Sequence, residues 1–208
     1  MAFAARGGGA LTPSPRVAVL IFDGFADWEP AFALTGLRRW GKVPVVAVGY
    51  HAGPVTSMGG LRVLPDLALP DLVPDQTRLL LLPGGDAWLE ADPPEQLRSH
   101  LLAFETHGVP IAGICGATVA LAKAGLFRNR RHTSNGRSFL AQYAPGYRSP
   151  QSYVDAFAVR DHGIISASGL GAVEFAREIF AELGVFGEGD LQLFEDMYRH
   201  GRQPPAHP

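Results

Sequence analysis

"VPIAGICGATVALAKAG", residues 109–125, joins two kinds of pattern with nothing between them. Val109 to Ile114 is a short continuous apolar run, the pattern of a strand buried on both faces. Gly116 to Ala124 has the small and apolar residues of a helix, and Gly125 closes it. Cys115, the only cysteine in the chain, stands at the joint. A buried strand passing directly into a helix is half of a parallel β–α–β unit. The fold follows from whether the rest of the chain repeats that alternation.

It does. "RVAVLIF" (16–22) predicts a first buried strand, with the loop "DGFADWEP" after it and Pro30 in the first turn of a helix ending at Gly41. "VPVVAVGY" (43–50) predicts a second strand. Residues 54–74 are punctuated by Gly and Pro, the pattern of a short hairpin or edge excursion. "RLLLLPGG" (78–85) is a third strand stopped by Pro83, and residues 94–107 have helical period. After the strand–helix of 109–125, "RRHTSNG" is turn-rich, two short strands flank Asp161-His162-Gly163, and residues 172–183 and 188–200 predict the last two helices. Continuous apolar strands alternating with helices give parallel strands, right-handed crossovers and helices on both faces. The expected fold is therefore an α/β three-layer α/β/α sandwich with a mostly parallel central sheet. One domain spans 16–200, between a loose arm at 1–15 and a frayed tail at 201–208.

Composition narrows the function. The chain has 208 residues, 47% apolar and 18% charged, with a formal net charge of −2, so nothing in its balance calls for nucleic acid. No run reaches the roughly 18–20 apolar residues of a membrane span. A single cysteine excludes an internal disulfide and permits a reducing compartment. Residues 1–15 lack the apolar core of a signal peptide. The expected location is the cytoplasm. His51, His100, His107, His200 and His207 are not spaced with acids or cysteine as a metal site requires.

In such sheets, sites form at the carboxyl ends of strands. Cys115 lies at one of them, next to a helix N-terminus, where a thiolate is favoured and a cysteine pKa falls. Gly113 and Gly116 allow a tight turn like the nucleophile elbow. The alternative is a buried structural cysteine. Gly84 and Gly85 end the neighbouring strand and, with Gly116, could supply backbone N–H groups to an oxyanion; a plain turn is the other reading. Glu29 either caps a helix start or acts in the site. His132 is either a surface loop residue or a base that the fold returns to the thiol. Trp28, Trp88 and Asp27 fall in loops placed near the site, where the tryptophans could line an apolar pocket.

"VAVLIFDGFADWEP", "LLLLPGG", "GICGATVALAKAGLFRNRRHTSNG" and "ISASGLGAVEFAREIFAELG", in that order over roughly residues 16–186, resemble the ThiJ/PfpI superfamily. That superfamily belongs among the class I glutamine-amidotransferase-like, flavodoxin-like folds and is related to the parkinsonism-associated protein deglycase. The resemblance implies that Cys115 is the elbow cysteine and that Glu29 hydrogen-bonds its sulfur, with a raised pKa. It implies that Gly84, Gly85 and Gly116 are the backbone donors and that His132 matches the histidine of the deglycase-like branch. It also implies a homodimer. The departures exclude other branches. The peptidase branch carries a histidine where Gly116 stands. The glutaminase His-x-Glu is missing, since His162 is followed by Gly163 and Ile164. The isonitrile-hydratase pattern has its acid at Asp27 but lacks the threonine after the cysteine.

Three functions remain open. One is a cysteine-dependent hydrolase- or glyoxalase/deglycase-like enzyme acting on a small carbonyl or amide substrate, without metal or organic cofactor. Another is a redox-sensing stress protein whose Cys115 is oxidised to sulfinate. The third is a non-catalytic structural or partner-binding domain.

Overall fold

The computed structural model describes residues 15–203. Most of the arm expected at 1–15 and the end of the tail, 204–208, lie outside the described residues. In chain order the elements are β1 (Arg16–Ile21), α1 (Trp28–Arg39), β2 (Val45–Gly49), β3 (Val55–Thr56), β4 (Arg62–Val63), β5 (Leu67–Ala68), β6 (Thr77–Leu82), α2 (Ala87–Glu90) and α3 (Glu95–Thr106). There follow β7 (Ile111–Ile114), α4 (Ala117–Lys123), α5 (Arg137–Tyr143), β8 (Ala158–Asp161), β9 (Ile164–Ala167), α6 (Ala172–Glu182) and α7 (Glu188–His200). The main sheet has seven strands in the order β5-β2-β1-β6-β7-β9-β8. All neighbours are parallel except β8, which returns antiparallel to β9 at the edge. Helices cover both faces, giving the expected α/β sandwich.

The apolar runs read from the sequence are the sheet's centre. Leu79 to Leu82 of β6 and Ile111 to Ile114 of β7 are wholly buried, with helices on either side. One face packs α1 against α6 and α7. There Gly36 of α1 lies directly on the ring of Phe180 from α6, so closely that a side chain at 36 would collide with it. The opposite face carries the helices between β6 and β8, with Leu97, Leu101 and Phe104 of α3 in the core. The excursion at 54–74 is a two-stranded antiparallel hairpin, β3 with β4, followed by β5 on the sheet edge.

Chain connections run outward in opposite directions from β1 and β6. β1 leads to β2 on one side, and β6 leads to β7 on the other. The crevice above this reversal is where open α/β sheets bind ligands. The loops after β1, β6 and β7 converge there, bringing Glu29, Gly84 and Cys115 together.

Three local features differ from the sequence reading. α2 and α5 are short helices within segments read as loop or left unassigned. Gly201, in a left-handed conformation, caps α7, and Arg202 N–H still bonds to Asp196 O at 3.1 Å. Among the described residues, no helix is long and apolar enough to cross a membrane.

Candidate active site around Cys115

Cys115 is the residue between the last of β7 and the start of α4, and its φ is +57°. An L-residue there costs about 1–2 kcal/mol. Among the described residues, the other non-glycine residues with positive φ, Lys42, Asn129 and His162, are exposed. At Cys115 the surroundings impose the bend. Its N–H donates to Ala167 O at 2.9 Å, extending the β7–β9 pairing by one residue. Its carbonyl accepts from Thr118 N–H at 3.1 Å and Thr118 Oγ1 at 2.6 Å. The flanking glycines are required by contact. A Cβ at Gly113 would lie 2.8 Å from Leu121 Cδ1, and one at Gly116 would lie 2.9 Å from Gly85 O and 3.1 Å from Trp88 Cδ1. Cys115 as a residue is half-buried.

Glu29 sits in the first turn of α1 and is only 1% exposed. Its Oε2 accepts Gly84 N–H at 2.6 Å, while Ala26 N–H donates back to Gly84 O at 2.9 Å, lacing the first loop to the end of β6. Its carboxyl lies beside Cys115, since a Cβ on Gly84 or on Gly169 would touch both residues at once. Burial raises the Glu29 pKa, and the bonds from Gly84 and Cys115 only partly offset this. The bond to Glu29 removes Gly84 from the expected set of oxyanion donors, because its N–H is already taken. Gly84 has no room for a side chain, since a Cβ would lie 2.5 Å from Glu29 Oε2 and 2.8 Å from Cys115 Cβ. Gly169, after β9, covers the other side: a Cβ there would be 3.0 Å from Sγ and 3.2 Å from Glu29 Oε1.

The thiol is not the low-pKa group that the helix N-terminus suggested. Burial first, then the Glu29 charge, push it up to about 11, against bonds from Asn135 and Gly116 N–H that favour the anion. Proximity to the first turn of a seven-residue helix does not outweigh desolvation.

His132 does not face the sulfur. It is fully buried and stacked flat on Phe127, with ring centroids 4.2 Å apart. Nδ1 pairs with Arg130 O at 2.8 Å and Nε2 with the Tyr147 hydroxyl. Burial lowers its pKa. Its position is a packing position, and the residue that reaches the sulfur comes three places later. Asn135 Nδ2 donates to Cys115 Sγ at 3.3 Å, and its Oδ1 accepts Gly169 N–H at 2.9 Å. The buried segment before it explains the placement. Thr133 N–H donates to Ser166 Oγ at 2.9 Å, Ser134 Oγ pairs with Thr118 Oγ1 at 2.6 Å, and Tyr153 donates to Ser134 O at 3.2 Å. The sequence reading passed over Asn135. The available signal was an amide in the same polar tetrapeptide, His-Thr-Ser-Asn, overshadowed by the histidine.

Asp27 faces the hairpin, where it accepts from Ser57 Oγ and, at 3.1 Å, from Gly59 N–H. Trp88 is buried beneath the elbow, with Nε1 donating to Pro83 O at 2.9 Å and its ring edge-on to Phe22. Trp28 is 51% exposed beside Glu29. Among the described residues, no group of three or more His, Cys, Asp or Glu side chains is arranged to hold a metal ion.

Comparison with known proteins identifies the family and agrees with the fold. The DJ-1/PfpI family matches residues 15–182. The uncharacterised protease YoaZ of Bacillus subtilis is 33% identical over 184 residues, covering 85% of this chain and 87% of that protein. A deglycase of Pyrococcus abyssi is 35% identical over 125 residues, covering 57% of this chain and 71% of its own. The crystal structure of a DJ-1 superfamily protein from Agrobacterium tumefaciens superposes with a TM-score of 0.81 at 36% identity, over 90% of this chain and 100% of the other.

Proposed function

The chain belongs to the DJ-1/PfpI family, and from that premise we propose that it is a cysteine-dependent hydrolase- or glyoxalase/deglycase-like enzyme whose nucleophile is Cys115. One observation carries the reading: a half-buried cysteine held at positive φ beside a buried carboxyl. A raised thiol pKa describes loss of the proton to water. Transfer of that proton to an ionised Glu29 is different, because the site carries one negative charge before and after. No second charge is buried, so the desolvation that raises both groups does not oppose the exchange. In this reading the thiol proton passes to Glu29 as sulfur attacks a carbonyl carbon, and Glu29 returns it later in the cycle. Gly85 and Gly116 remain as backbone donors to the oxygen. Substrates are small reactive carbonyls such as methylglyoxal, or amides.

Peptidase chemistry of the type that needs a histidine after the cysteine is disfavoured. Position 116 is filled by Trp88 and the Gly85 carbonyl, and a side chain has no room. A homodimer in a reducing, cytoplasmic setting belongs to the same proposal, supported by the family and by the single unpaired thiol.

Oxidation of Cys115 to sulfinate is the second reading, supported by the half-buried cysteine beside a carboxyl. It ranks below the first because the similar proteins named for an activity are a protease and a deglycase. An inert structural cysteine ranks last, since packing alone gives no reason to keep an L-residue at positive φ. Methylglyoxal turnover by the wild-type protein, abolished in Cys115→Ser, is the expected result. Equal rates for the two proteins contradict the proposal, and a peroxide-dependent gain of two oxygens on Cys115 without turnover moves it to the second reading.

A further inference from the structure

We propose that Asn135 is the side-chain oxyanion donor of the site: its Nδ2–H, which touches the sulfur in the free protein, passes to the oxygen of a carbonyl that adds to Cys115. The inference rests on Cys115 as the nucleophile. The backbone set expected for this task is incomplete, because Gly84 N–H is bound to Glu29 at 2.6 Å. Asn135 Nδ2 lies 3.3 Å from Sγ. The oxygen of a carbon bonded to sulfur is one bond beyond that carbon, within reach of a donor already at the sulfur. The orientation of the amide is fixed from its other end, since Gly169 N–H donates to Oδ1 at 2.9 Å and leaves Nδ2 facing Cys115.

The two walls of the sulfur then divide the chemistry. Glu29 is buried on the inner side, where it takes the proton; Asn135 is exposed on the solvent side, where a carbonyl arrives. A carboxamide neither accepts nor gives up a proton at neutral pH, so its contribution is electrostatic. In the step, the Sγ–H proton moves to Glu29 as the S–C bond forms. The C=O π pair becomes a lone pair on oxygen, and that oxyanion accepts Nδ2–H. With p-nitrophenyl acetate the adduct collapses, expelling p-nitrophenolate and leaving an acetyl thioester on Cys115.

Two reagents separate a role on oxygen from a role on sulfur. Iodoacetamide alkylates the thiol at its CH2 carbon and expels iodide, so no oxyanion forms; p-nitrophenyl acetate requires one. Rates of both are measured for wild type and Asn135→Ala, with product identified on Cys115 by mass spectrometry. Removal of one oxyanion donor costs about 10²–10³-fold. The lower end is expected here because Asn135 is exposed: acylation falls about 10²-fold and alkylation less than tenfold. Asn135→Asp, which keeps the acceptor for Gly169 N–H but puts a negative charge where the oxyanion forms, lowers acylation relative to alkylation further than Asn135→Ala does. Parallel loss of both rates, no loss of either, or a wild-type thiol that alkylates but is not acylated overturns the inference. Absence of methylglyoxal turnover with the ratio intact overturns the proposed substrate instead and leaves Asn135 in place.

Discussion

The inner and outer walls of the Cys115 sulfur are built by different means. The inner wall is two loops laced by one backbone bond and one bond from a backbone N–H to the Glu29 carboxyl, with Glu29 and Gly84 excluded from water and no space for another atom. The outer wall is one exposed amide on a loop, tied to a glycine turn by a single hydrogen bond. The difference teaches where protein electrostatics acts. A buried carboxyl has its pKa raised by desolvation and can exchange a proton with its neighbour. An exposed amide can only orient and donate.

The largest effect comes from breaking the inner wall chemically. Glu29→Gln removes the proton acceptor and is expected to lower carbonyl turnover about 10²–10⁴-fold, measured as kcat/KM on methylglyoxal. An unchanged value assigns the proton elsewhere. His132→Ala tests the residue that the outer wall displaced from the site. Loss of a buried stacked ring is expected to cost about 2–4 kcal/mol in denaturant unfolding, while Cys115 alkylation stays within twofold of wild type. A loss of alkylation without loss of stability returns His132 to the chemistry. Gly84→Ala forces a methyl between Glu29 and Cys115 and is expected to cost about 1–3 kcal/mol, more than Gly169→Ala on the outer wall, where the contact is looser; the reverse order in thermal unfolding contradicts the packing described. The smallest effect is on stability against pH. The folded-state pKa of Glu29 is raised, so its contribution is fully present below the unfolded carboxylate pKa and is lost as pH rises through the folded value. Glu29→Gln should therefore gain stability relative to wild type at pH 8 compared with pH 4, read from melting temperatures. A constant difference between the two pH values shows that Glu29 titrates as an ordinary exposed carboxyl.

The elements of the inner wall were legible locally, and its pairing of Glu29 with Gly84, 55 positions apart, was legible only through the family resemblance. "RLLLLPGG" must end a buried strand, Cys115 must sit at a strand–helix joint, and Pro30 marks the helix that presents Glu29. The outer wall was not. Asn135 reaches the sulfur through bonds to residues 30 or more positions away, Thr133 with Ser166 and Asn135 with Gly169, and no local pattern encodes them. Chemical type favoured His132 in the same tetrapeptide, but a ring that stacks on Phe127 and bonds Tyr147 is fixed in the wrong place. The thiol pKa was misread for a related reason. The helix N-terminus is visible in sequence, whereas the desolvation that outweighs it arises only when the loops converge.

The central claim is that Cys115 and Glu29 act as one proton-sharing pair, and the pH profile of Cys115 alkylation by iodoacetamide in wild type and Glu29→Gln tests it most directly. Burial first, and then the carboxyl through its charge and its hydrogen bond, hold the thiol high, at about 11 in wild type. The expected result is a wild-type midpoint above the ordinary thiol value of about 8.5 that moves downward in Glu29→Gln. Superimposable profiles, or a wild-type midpoint below the ordinary value, would contradict the pair.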